Sequence, residues 1–83
     1  MEVLRSALRH GIPGEDIQHA ITNAVAVDEV GDDPVRWLVL GPDRAGNLLE
    51  LVMDRPAGPA VIHAMPMRAA YRRLLPKRRR EQT

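Results

Sequence analysis

Apolar residues recur along this chain in two rhythms, and the change of rhythm separates helical from extended parts. Val3, Leu4, Ala7 and Leu8 repeat at helical spacing, which predicts a short helix over residues 2–9. Gly11 suits its C-terminal stop, because glycine takes the left-handed conformation at low cost. Arg9 and His10 stand where cations suit the negative helix end. Pro13-Gly14 opens a second helix over about 14–24, with Glu15 and Asp16 in its first turn. Ile17, Ala20, Ile21 and Ala24 form its buried stripe, and Asn23 falls at its end.

Beyond Ala24 the pattern becomes β-branched and alternating. Residues 25–30 read as an edge strand whose acids, Asp28 and Glu29, discourage pairing with other chains. A Gly-Asp-Asp-Pro turn follows at 31–34. Residues 35–41 place Val35, Trp37 and Val39 on one face and Arg36, Leu38 and Leu40 on the other. After a loop at 42–46, residues 47–53 place Leu49, Leu51 and Met53 against Leu48, Glu50 and Val52. A turn at 54–59 leads to residues 60–65, apolar on both faces and therefore covered or central. Pro66 fits the first turn of a last helix, with Met67, Ala70, Tyr71 and Leu74 as its apolar stripe and Pro76 as its stop. The order predicts an α+β fold: two N-terminal helices, a four-stranded antiparallel meander sheet and a short C-terminal helix. Residues 1–76 form one domain in this reading, and 77–83 a basic disordered tail.

Composition narrows the class. Eighty-three residues make one small domain, which buries only about 60% of its unfolded surface. The chain has no cysteine or phenylalanine, one tryptophan and one tyrosine. Its core must be Leu, Val, Ile, Ala and Met. Arg5, Arg9 and His10 interrupt the N-terminal apolar residues, against a signal peptide, and no apolar run is long enough to span a bilayer. A cytoplasmic location is the expectation. The net charge of +1 conceals an asymmetry. Residues 1–35 hold two basic and seven acidic side chains, whereas residues 67–83 hold seven basic and one acidic. That split points to an anionic partner at the C-terminal end, or to a solubilising tail.

Strand parity supplies candidate chemistry. If Leu40 faces Leu48 across the loop, Arg36 and Glu50 share a face, and any even-to-even register keeps them together. The 54–59 turn leaves open which face His63 joins. If it joins the same one, Arg36, Glu50 and His63 form a polar cluster that Arg68, Tyr71 and Arg72 approach from the last helix. Cleaving RNA without a metal needs a base for the 2′-hydroxyl, an acid for the leaving oxygen and cations beside phosphorus. His63 and Glu50 suit proton transfer, and Arg36, Arg68 and Arg72 suit charge compensation. The plain structural alternatives are a hydrogen-bonded core histidine, a cross-strand Arg36–Glu50 pair, and Tyr71 packing on the sheet. His10, His19 and His63 fall on separate elements without paired ligand spacing, so no metal site is expected, and no glycine motif points to a nucleotide cofactor.

At Arg9-His10-Gly11-Ile12, the alternating strands and the strand-Pro-helix end, the chain resembles the small BrnT-type toxins. These belong to the RelE-like ribonuclease superfamily of bacterial toxin–antitoxin systems. It is similar too to a related family of short ααββββ domains. The likeness runs from about Arg9 to Leu75. Arg9–Ile12 matches a basic-His-Gly-Ile segment before a helix. Gly31-Asp32-Asp33-Pro34-Val35-Arg36 is a looser form of a Gly-Asp/Glu-x-Arg feature, and Ile62–Arg73 matches a strand, corner and basic helix. In that group a β-strand usually precedes the basic-His-Gly segment, where Glu2–Arg9 here reads as helical. The resemblance implies a RelE-like fold and a toxin that cleaves mRNA, free or held by the ribosome, neutralised by a small, commonly DNA-binding antitoxin. Arg36, Arg68 and Arg72 carry over as phosphate-facing candidates.

The resulting expectation is a catalytic set of His63, Arg36, Glu50, Arg68 and Tyr71, with RNA bound by Arg72, Arg73, Lys77 and Arg78. It includes no cofactor, an antitoxin and mRNA as partners, and a homodimer or heteromeric complex. The alternatives are a non-catalytic protein-interaction module of the same fold and a nucleic-acid-binding accessory protein acting through its basic tail. With only Trp37 and Tyr71 to stack bases, the chain alone is poorly equipped to read single-stranded RNA.

Overall fold

The computed structural model describes residues 2–31, 34–54 and 59–76. Five strands form one sheet: β1 (Glu2–Val3), β2 (Ala26–Val30), β3 (Arg36–Pro42), β4 (Leu48–Asp54) and β5 (Ala60–Pro66), in the order β1-β5-β4-β3-β2. One α-helix, α1 (Gly14–Thr22), packs across it. Short 3-10 segments cover Arg5–Leu8 and Ala69–Leu74. No helix among the described residues is long and apolar enough to cross a membrane.

The expected meander is present as β2 to β5, each pair antiparallel, with β2 at the sheet edge. The expectation of two N-terminal helices and four strands is overturned at both ends of the chain. Residues 2–9 open as β1, parallel to β5, with Glu2 opposite Ala60 and Val3 opposite Val61. An eight-residue helix is marginal alone. The bare flank of β5 offers hydrogen bonds instead: Glu2 N–H donates to the Pro59 carbonyl and Leu4 N–H to that of Val61. The Arg5–Leu8 turn then follows the same flank, where Ser6 Oγ donates to the Ile62 carbonyl at 2.8 Å. At the other end, Pro66 closes β5 opposite Leu49 rather than opening a helix. Residues 69–74 form only a 3-10 segment, bracketed by three-residue-spaced bonds from Tyr71 N–H to Arg68 and from Leu75 N–H to Arg72. The sheet is therefore mixed and five-stranded, and the RelE-like arrangement is not reproduced.

The core lies on the odd-numbered face of β3 and β4. Val39, Leu49 and Leu51 meet Ile17 and Ala20 of α1, Ala7 of the first turn, and Val61 and Ala64 of β5. The helix is pressed close at Gly41. A Cβ there would strike the Ala20 carbonyl, 2.8 Å from its carbon, so only glycine admits α1 at this distance. Asn23 ends the helix, with its backbone N–H and its Nδ2 both bonded to the His19 carbonyl. The opposite, even-numbered face is also closed to solvent around Leu38, Leu40 and Glu50.

Candidate active site

Glu50 stands between Leu49 and Leu51, which point into the core. Strand alternation sends its carboxylate to the other face, where it is 0% exposed. A charge in such a place persists only if it is paired and fully hydrogen-bonded. Glu50 is. Oε1 accepts from the Arg68 backbone N–H at 2.9 Å and from Nε at 3.1 Å. Oε2 accepts from Arg68 Nη2 at 2.6 Å, from Nε at 3.2 Å and from His63 Nε2 at 3.1 Å. Burial pushes this carboxyl up, but the Arg68 guanidinium, the Arg68 backbone N–H and His63 outweigh it and hold it below its ordinary value. Glu50 is therefore an ionised anchor, with both oxygens committed.

His63 reaches this face because of a β-bulge. Met53 pairs with Val61, but the register shifts between Met53 and Val52, and Val52 pairs with His63. Without the shift, Val52 would face Ile62 and His63 would turn toward the core. With it, His63 lies diagonally across from Glu50. A carboxylate only accepts, so the contact fixes a proton on Nε2 and leaves Nδ1 as the ring's exchangeable position. The side chain is 28% exposed, so solvent reaches the ring.

Arg68 follows β5 directly. Its backbone and side chain both bind Glu50, and its Cζ lies 5.6 Å from the centre of the Tyr71 ring. Its side chain is 56% exposed, so a guanidinium fixed on one edge faces solvent. Tyr71 thus supports Arg68 and touches no other member of the site in the contacts observed.

The strongest departure from sequence reasoning is His10. Its ring centre lies 5.8 Å from that of His63, edge to face at 78°. The Arg5–Leu8 turn, held along β5 by Ser6 and Leu4, delivers it there. Gly11, at φ 77°, takes the left-handed turn that follows, and its N–H closes the turn onto Leu8. Spacing offered no hint of this pairing, since 53 positions separate the two histidines; the one available signal was the His-Gly turn itself.

Arg36 does not join the group. Parity holds, with Arg36 opposite Asp54, Leu38 opposite Val52 and Leu40 opposite Glu50, but Arg36 is four residues from Leu40, about 13 Å along the strand. Arg72 and Arg73 are exposed on the 69–74 segment. Lys77 and Arg78 lie outside the described residues. His19 is used elsewhere: Nδ1–H donates to the Pro42 carbonyl at 2.9 Å. No group of three metal-ligating side chains occurs among the described residues. On the opposite sheet face, an apolar recess of about 320 Å³ is lined by Ile21, Val27, Trp37, Val39 and Met53. Comparison with family models, curated proteins and solved structures returned no match.

Proposed function

We propose that this protein is an endoribonuclease that cleaves mRNA without a metal, acting as the toxin of a toxin–antitoxin pair in the cytoplasm and neutralised by a small antitoxin. The observation that carries the reading is the shared anchor: one buried carboxylate holds an exposed-edge histidine in a single tautomer and fixes an arginine beside it. These are the parts that phosphodiester transfer requires. His63 Nδ1 accepts the proton of the ribose 2′-hydroxyl. The 2′-oxygen forms a bond to phosphorus as the bond to the 5′-oxygen breaks, leaving a 2′,3′-cyclic phosphate. Arg68 offsets the charge that builds on the non-bridging oxygens. Glu50 is a positioning residue here, not a proton donor, because its oxygens are committed and its carboxyl is held ionised. Arg72 and Arg73 extend the positive surface toward the RNA backbone. The strand β1 ahead of Arg9-His10-Gly11 supports the toxin reading, since BrnT-type toxins usually carry one there.

Inducible expression of wild type and His63→Asn, with mRNA integrity followed over time, tests the reading. Growth arrest with mRNA loss in wild type, absent in a folded His63→Asn, is the expected result. Intact mRNA in arrested or unaffected wild-type cells overturns it. The second reading is a binding module without catalysis. The apolar recess, with the exposed Val27 in its lining, favours it, and tight capture of the antitoxin with no cleavage would establish it.

A further inference from the structure

In-line displacement at phosphorus brings the attacking oxygen in on one side and releases the leaving oxygen on the other. The departing 5′-oxygen is a poor leaving group unless it gains a proton as its bond breaks. By sequence Glu50 and His63 both suit proton transfer, and the geometry of Glu50 removes it as that acid. Both oxygens accept hydrogen bonds, it is wholly buried, and its pairing with Arg68 keeps it ionised. Arg68 stays protonated beside Glu50 and has no proton to give at neutral pH. Tyr71 is turned to Arg68. A ribonuclease built only from these residues lacks an acid.

One further titratable side chain meets the site. His10 is exposed, and among the described residues its ring is seen in contact with His63. The two rings meet edge to face with centres 5.8 Å apart, so two imidazoles stand side by side at the site. They also differ in constraint. His63 is fixed by a buried carboxylate, whereas His10 is exposed just after the turn that Ser6 and Leu4 hold along β5. We propose that His10 is the general acid of this site, paired with His63 as base, and that the substrate is a ribonucleotide phosphodiester whose own 2′-oxygen is the nucleophile. The inference rests on the ribonuclease reading above.

The proton balance is explicit. His63 Nδ1 gains the 2′-hydroxyl proton as the P–O2′ bond forms. Imidazolium His10 loses a proton to O5′ as the P–O5′ bond breaks. The products are a 2′,3′-cyclic phosphate and a 5′-hydroxyl. No co-reactant enters, and a 2′-deoxy strand, lacking the nucleophile, is inert.

The test uses purified full-length protein and two RNA oligonucleotides, one natural and one with sulfur in place of the 5′-bridging oxygen at the cleaved position. A thiolate leaves without a proton, so the second substrate needs no acid. His10→Ala should cleave natural RNA at least about 100-fold more slowly than wild type and the sulfur substrate at close to the wild-type rate. His63→Ala should be slow on both. The exposed position of His10 leaves folding intact, which a thermal melt checks. If His10→Ala matches wild type on natural RNA, or is equally slow on both substrates, His10 is not the acid and the ribonuclease reading survives. If wild type cleaves neither substrate, free or presented on ribosomes, the ribonuclease reading fails and takes this inference with it.

Discussion

Replacing Glu50 with glutamine keeps its shape and removes its charge. One of the two oxygens becomes an NH2 group. Placed at Oε2 it meets Arg68 Nη2 and His63 Nε2; placed at Oε1 it meets the Arg68 backbone N–H and Nε. Either way, donors face donors in a position that is 0% exposed. Removing one partner of a buried ion pair costs about 3–5 kcal/mol. Arg68 and His63 can turn partly to water, because their side chains are 56% and 28% exposed, so the cost of Glu50→Gln settles at about 2–3 kcal/mol. A domain of this size has about 4–12 kcal/mol in all. The midpoint of thermal unfolding should therefore fall by roughly 10–20 °C. Urea unfolding followed by the fluorescence of Trp37, the single tryptophan, measures it at pH 7. The pH dependence has a definite sign. The folded carboxyl lies below its ordinary 4.5, so its contribution is complete above that value and is lost as pH falls through the depressed one. The gap between wild type and Glu50→Gln should be widest near neutrality and narrow in acid. Equal urea midpoints at pH 7, or a gap that does not narrow in acid, would refute the account of Glu50 as an ionised anchor.

Gly41→Ala should destabilise the protein by about 1–3 kcal/mol while leaving the site residues in place, because the new methyl group pushes α1 off β3; a thermal melt reads it. The Asp16 carboxyl, hydrogen-bonded to the Arg44 side chain and backbone N–H, should titrate below 3.8 by NMR and return toward that value in Arg44→Ala. Tyr71→Ala should free the outer part of Arg68 and raise KM for RNA several-fold with a smaller effect on kcat, whereas Tyr71→Phe, which keeps the ring, should behave as wild type in the same assay.

Much of this geometry was open to reasoning from residues, and the failures have particular causes. Alternation in residues 35–53 placed Arg36 and Glu50 on one face, because a two-residue period determines the side whatever the exact pairing. It says nothing of distance along the strand, and Arg36 falls away for that reason. The face of His63 was undecidable from pattern, since one extra residue opposite the Val52/Met53 step reverses it, and no local composition marks that bulge. The spacing of Val3, Ala7 and Leu8 looked helical because Val3 and Ala7 do meet the core, but through a two-residue strand and a tight turn. Strand β1 is too short for any period to show. What creates it is the bare flank of β5, a tertiary circumstance. The meeting of His10 and His63 depends on that same circumstance and was hidden with it.

The parallel pairing of β1 with β5 also governs when the polar cluster can assemble. Glu2 meets Ala60, and Ser6 bonds to Ile62 across 56 positions, so these residues must wait for β5 before they pair. Contacts between such distant segments close large loops and are slow to form. A growing chain can assemble the β2–β4 meander early, yet Glu50 lacks both of its partners until His63 and Arg68 have been added. The cluster of Glu50, His63 and Arg68 therefore closes in a single step, once β5 and the residues just after it have been made.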